Sequence, residues 1–194
     1  NLEDAQKKLN QLDNRFENLK KIQNVFLNCY FSSKDTGLLF DKLISNEKTD
    51  FSRYNYFYAK YLFDQGEKIK ARKIVDISLK KYPRNLLLNQ YKINLDLKKN
   101  FSEFSCKNKK EIIAELLYIA ANALSSQSYF QASNFYLNLS KNLNKNFHSF
   151  DTLLAENFYN SQDLESSKKI YQNLRKNGTA FKWYSDKQIS RILI

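Results

Sequence analysis

Apolar residues near the start of the chain fall at Leu2, Ala5, Leu9, Leu12, Phe16, Leu19, Ile22, Val25 and Phe26, in steps of three and four. That spacing keeps one stripe of a helix apolar, and it predicts a single long amphipathic helix from 2 to about 30. A polar break at 32–35 follows, where Ser33 or Asp35 is suited to cap a short helix over 36–44. Residues 46–50 read as a linker. From 51 onward the pattern is paired. Helices are expected over 51–64 and 68–81, then over 86–97 with an irregular stretch through 101–106. Two further pairs, 109–126 with 129–142 and 147–160 with 164–176, lead to a closing helix over 181–193. Gly66 stands after one of these helices and Pro83 after the next, which is how helix ends are punctuated.

The pairs recur. Self-similarity at a period of about 34 residues marks a helix-turn-helix repeat. With Ser52 as the first position of a unit, Ala59, Leu62, Gly66, Ala71 and Pro83 fall at positions eight, eleven, fifteen, twenty and thirty-two. A unit begun at Ala114 carries Ala121, Leu124, Ser128, Ser133, Leu137 and Ser140 at the corresponding points, and one begun at His148 carries Ala155, Phe158, Ser167, Tyr171 and Leu174. Small residues at eight and twenty let two helices touch, and bulky ones beside them fill the space that remains. The expected fold is therefore all-α: a right-handed α-solenoid of about four tetratricopeptide-like helix-turn-helix repeats. Its units run over 52–85, 86–113, 114–147 and 148–180, closed by 181–193. The step from Leu86 to Ala114 falls short of a full repeat length and the small positions there match poorly, so 86–113 is expected to be degenerate. Residues 1–50 carry no consensus and are read as N-terminal helices, capping or a degenerate repeat.

Residues 50–193 resemble a group of alphaproteobacterial tetratricopeptide-repeat proteins. The likeness rests on AELLYIAANAL (114–124), NLSKNLNKNF, LLAENFYNSQDLESSKKIYQNL (153–174) and the Tyr- and Trp-bearing FKWYSDKQISRIL (181–193). The resemblance implies a non-catalytic protein that holds other proteins, and it tilts the expected location toward the periplasm or envelope over the cytoplasm, because members of the group are often exported.

Composition narrows the alternatives. Three Gly and one Pro cannot supply the turns of an all-β fold or the glycine-rich loops of nucleotide-binding α/β folds. The net charge of +12 raises nucleic acid as a partner. Against it, 26 of the 32 basic residues are Lys and six are Arg, the side chain that grips phosphates and bases bidentately. Joint enrichment in Lys, Asn, Ile and Phe is also what an AT-rich genome writes into any protein. Cys29 and Cys106 lie 77 positions apart without a CxxC, and two separate buried thiols are the expected state, with a disulfide in reserve for an exported chain. No stretch approaches a membrane span. The sequence has no Met, so residue 1 reads as the start of a trimmed piece, with any targeting segment upstream.

Candidate chemistry is sparse. His148 is the one histidine, expected at a turn, and no phosphate loop, nucleophile motif or metal-ligand spacing accompanies it. We therefore expect no enzyme activity, no cofactor and no metal. If the repeats stack, the first helix of each unit lines a concave groove. That assigns Arg53, Tyr56, Lys60 and Phe63 to it from one unit, Tyr118, Asn122 and Ser125 from the next, and Thr152, Glu156, Tyr159 and Asn160 from the last. Tyr anchors and amide side chains suit an extended peptide or a helix, although several of these Tyr would equally serve packing. Tyr56, Tyr118 and Thr152 stand where grips on a C-terminal carboxylate carry polar amide or basic groups, which argues against chaperone-tail binding. Unless capped, the ends of such a stack carry apolar faces, so self-association through the first helix or through Trp183 and Tyr184 is a further expectation.

Overall fold

The computed structural model describes residues 1–98 and 103–193. Among the described residues there are eleven α-helices, one 3-10 turn and no strand. The helices are α1 (Leu2–Asn10), α2 (Glu17–Tyr30), α3 (Thr36–Ile44), α4 (Tyr54–Asp64), α5 (Lys68–Lys81), α6 (Leu86–Asp96), α7 (Lys109–Ser126), α8 (Phe130–Leu143), α9 (Ser149–Asn160), α10 (Leu164–Leu174) and α11 (Thr179–Ile192). None is long and apolar enough to cross a membrane.

The single helix expected over 2–30 is instead two helices separated by the 3-10 turn Asn14–Phe16. The Asp13 carboxylate accepts from the Arg15 N–H at 2.8 Å and from its guanidinium at 3.1 Å. Short polar side chains that bond nearby backbone offer the chain an alternative to the helix. Leu12 and Phe16, assigned to the apolar stripe, are 41% and 49% exposed as a result.

Helix α4 ends at Gly66 as expected, and the same left-handed turn ends α7 and α9, where no glycine marks it. Gly66 takes a left-handed φ of 82°, and the Glu67 N–H closes back to the Leu62 carbonyl at 2.9 Å. Ser128 (φ 64°) and Gln162 (φ 65°) repeat this, with Tyr129 bonded to Leu124 and Asp163 to Phe158. Such closures satisfy carbonyls that a helix end leaves without partners. Ser32 (φ 58°) makes the same turn, with the Ser33 N–H on the Asn28 carbonyl at 2.8 Å. It stands 34 residues before Gly66, in a stretch that carries none of the consensus residues. Of the irregular stretch at 101–106, residues 101 and 102 lie outside the described residues, and 103–108 form no helix.

Two compact units are distinguished, Asn1–Leu88 with Ser105–Ile112, and Asn89–Phe104 with Ile113–Ile194. The first has an aromatic core. Phe26 of α2 meets Phe57 of α4 edge-on at 5.4 Å, and Phe40 of α3 stacks on Tyr58 at 5.2 Å. Ala59 and Ala71, the two small repeat positions of α4 and α5, are fully buried. Cys29, near the end of α2, is bonded to Cys106, with 5.8 Å between their Cα atoms. This corrects the expectation of two separate thiols: the fold brings Cys106, just ahead of α7, onto the end of α2. The neighbouring Lys107 ammonium donates to the Cys29 carbonyl and to Ser32 Oγ.

In the second unit the small positions again sit at helix contacts. Ser133 Oγ on α8 donates to the Ala121 carbonyl on α7 at 2.8 Å, and Ser167 Oγ on α10 donates to the Ala155 carbonyl on α9 at 2.9 Å. Donor and acceptor are each displaced by one repeat length, and all four residues are fully buried. The same side-chain bond at equivalent positions is a repeat in packing as well as in letters. Asn144 Nδ2 bonds the Glu103 carbonyl at 2.8 Å, and Gln90 Oε1 accepts from the Ala180 N–H at 2.9 Å.

Asp151 on α9 bears on the pH response of this unit. Its Oδ1 lies 2.5 Å from the Lys141 ammonium and its Oδ2 3.7 Å from His148 Nδ1. Burial pushes its carboxyl up, but His148 and Lys141 together outweigh that and hold it below the ordinary 3.8. A carboxyl depressed on folding binds fewer protons native than unfolded, so its stabilisation is complete above that ordinary value and fades as pH falls through the lower native one. Thermal unfolding followed from pH 6 down to about pH 2 should therefore show an acid limb that is shallower in Asp151→Asn; identical limbs would remove Asp151 from the acid response.

Candidate protein-binding face

Helices α4, α7 and α9 are the first helices of their pairs, and the residues assigned to a groove ride on them. In the first unit, two of the four assigned side chains are inside. Tyr56 is 0% exposed and packs edge-on against Phe57 at 5.2 Å. Lys60 is 6% exposed and spans one turn to Asp64, 2.5 Å from Oδ1. Its charge is thus paired within α4. The Arg53 guanidinium lies 5.7 Å from the centre of the Phe57 ring, and half-buried Phe63 carries the Lys68 ammonium over its own ring at 5.5 Å.

The second unit presents more. Tyr118 is half-buried against Phe150 at 5.6 Å, and Thr152 spends its hydroxyl on the Ser149 carbonyl at 2.7 Å. Asn122, Glu156 and Asn160 are exposed, and Tyr159 is half-buried. To these, α11 adds two side chains that groove positions alone do not predict. The Tyr184 hydroxyl donates to Glu156 Oε1, and the Arg191 guanidinium lies 5.1 Å from the centre of the Tyr159 ring. Burial first, and then the negative charge of Glu156, push the Tyr184 phenol far up, as they do that of Tyr171. Both phenols stay neutral at any working pH, and Tyr184 keeps the proton it donates. Glu156, Tyr159, Tyr184 and Arg191 therefore form one patch with carboxylate, phenol, aromatic face and guanidinium side by side.

Beneath this face lies a network that sequence reasoning missed. Asn157, fully buried on α9, donates to Ser133 Oγ and to Asn134 Oδ1, each at 2.8 Å, and accepts from Ser125 Oγ at 2.5 Å. One amide thus joins α7, α8 and α9. Ser125, assigned to the groove, faces inward to it.

His148 is half-buried beside Asp151 and its ring lies 6.5 Å from that of Phe181. Among the described residues no group of three His, Cys, Asp or Glu could hold a metal ion. Compared with known proteins, the chain matches no family model, no curated protein and no solved structure.

Proposed function

We propose that this chain is a tetratricopeptide-type helical-repeat scaffold, stacked as a right-handed superhelix, that binds a protein or peptide partner and catalyses no reaction. The repeated bond from Ser133 to Ala121 and from Ser167 to Ala155 supports the repeat. The binding surface is the face of the second unit that carries Asn122, Glu156, Tyr159 and Asn160 with Tyr184 and Arg191. Exposed amides of the Asn122 and Asn160 kind satisfy an extended backbone, and a half-buried Tyr anchors a side chain. The Cys29–Cys106 bond favours an oxidising compartment such as the periplasm, where such pairs persist.

Panning a random peptide display library against the oxidised chain should enrich a shared motif. Binding of that motif should fall about tenfold or more in Tyr159→Ala and in Asn160→Ala, the loss typical of an interface anchor. Failure to enrich any motif, together with binding to single-stranded nucleic acid that weakens steeply with salt, would replace this reading by that of a nucleic-acid-binding repeat.

A further inference from the structure

Half of the chain's net charge sits on one helix and its exit. Over 68–84 there are five lysines and two arginines against Asp76, a net +6 of the +12 carried by the whole chain. Helix α5 turns Ala71, Val75 and Ser78 inward, at 0%, 0% and 5% exposure. Its opposite stripe runs Ile69, Lys73, Ile77 and Lys80, in steps of four, four and three. On that stripe Ile69 is 88% exposed and Ile77 53%. Lys70 pairs with Glu67, whereas Lys73 and Lys80 have no carboxylate partner among the described residues.

We propose that the outer face of α5 docks on the surface of a bilayer rich in anionic phospholipid. Two branched aliphatic side chains held out in water among cations are costly for a soluble surface and useful at a lipid interface. There they enter the acyl boundary while the lysines remain at headgroup level on their flexible stems. Lysine outnumbers arginine, which suits a diffuse negative surface more than bidentate reading of phosphates. Isoleucine has no π-face on which a base could stack, so single-stranded nucleic acid gains nothing from Ile69 or Ile77. The face is also independent of the patch formed by Glu156, Tyr159, Tyr184 and Arg191, so either assignment stands if the other fails.

Co-sedimentation of the oxidised chain with extruded vesicles tests this. Vesicles of phosphatidylglycerol mixed with phosphatidylcholine should bind it, and pure phosphatidylcholine should not. Each cation near such a surface contributes about fivefold in partition, so Lys73→Glu with Lys80→Glu should lower binding by about 30-fold or more. Ile69→Ser should lower it by about tenfold if the side chain enters the interface. All three side chains are exposed, and unchanged circular dichroism will verify that the variants fold. Equal binding to both vesicle types, no binding to the anionic ones, or indifference to Ile69→Ser would overturn the inference. So would a higher affinity for duplex or single-stranded nucleic acid at the same salt.

Discussion

Reducing the oxidised protein with dithiothreitol is expected to remove about 4.5 kcal/mol of unfolding free energy, the chain-entropy value for a bond that closes a loop of this length. Cys29 and Cys106 are 77 positions apart, so their bond denies the unfolded chain a large set of conformations. The native side loses as well. Lys107, the next residue, lies against the last turn of α2, donating to the Cys29 carbonyl and to Ser32 Oγ at 2.7 Å. A cation there suits the negative end of a helix, and without the bond nothing covalent holds it in position. Urea unfolding with and without reductant, beside a Cys29→Ser, Cys106→Ser double variant, measures the loss. The variant should match the reduced protein and ignore the reductant. A midpoint unmoved by reduction would show that the pair contributes nothing to stability.

Asn157→Leu is expected to cost about 3 kcal/mol, because each buried polar group left without a partner costs about 1–3 kcal/mol. The replacement is close in volume but offers neither donor nor acceptor. It takes the partner from the half-buried Asn134 Oδ1 and Ser125 Oγ, which Asn157 satisfies at 2.8 Å and 2.5 Å, and sets an apolar side chain against both. It also removes the donor to Ser133 Oγ, although that hydroxyl keeps its own bond to the Ala121 carbonyl. Asn160→Ala, one turn further on α9 and exposed, should stay within about 0.5 kcal/mol of the parent. Equal effects in the two variants, read by chemical denaturation, would mean that the amide network is not a stabilising element.

These two residue sets mark the limit of what the letters disclose. Helix spans were legible where local chemistry sets them. Helices α3, α5 and α7 begin and end at their expected residues, with Gly66 and Pro83 bracketing α5 and the Asn108 side chain accepting from the Lys110 N–H at the start of α7. The expected cap Asp35 makes no side-chain bond to α3, and Ser33 Oγ instead accepts from the Asp35 N–H. The paired alanines and serines were equally readable, because a tight helix contact admits only small side chains. Asn157 was not. A polar residue in an amphipathic pattern reads as surface, and only the meeting of three helices turns its amide inward. The bond between Cys29 and Cys106 was readable only as the alternative to two separate thiols, since partners 77 residues apart share no spacing signature. The break at 32–35 was legible, but not its left-handed φ at Ser32: glycine tolerates that conformation without penalty and so marks it at Gly66, whereas serine there looks like any polar residue. Tyr56 and Lys60 failed as groove candidates in the opposite sense. Their positions in the repeat pointed outward to a ligand, but the aromatic packing of α4 and the Lys60–Asp64 pair take them up.

The left-handed turns at Ser32, Gly66, Ser128 and Gln162 also imply an order of assembly. Each is completed by backbone bonds reaching back no more than five residues, so a helix pair can form as soon as its own letters are available. Links across long sequence separations, from Gln90 to Ala180 and from Cys29 to Cys106, must await pieces already made. The turns are thus set locally and early, whereas closure of the first unit waits on the meeting of Cys29 with Cys106 and on an oxidant to join them.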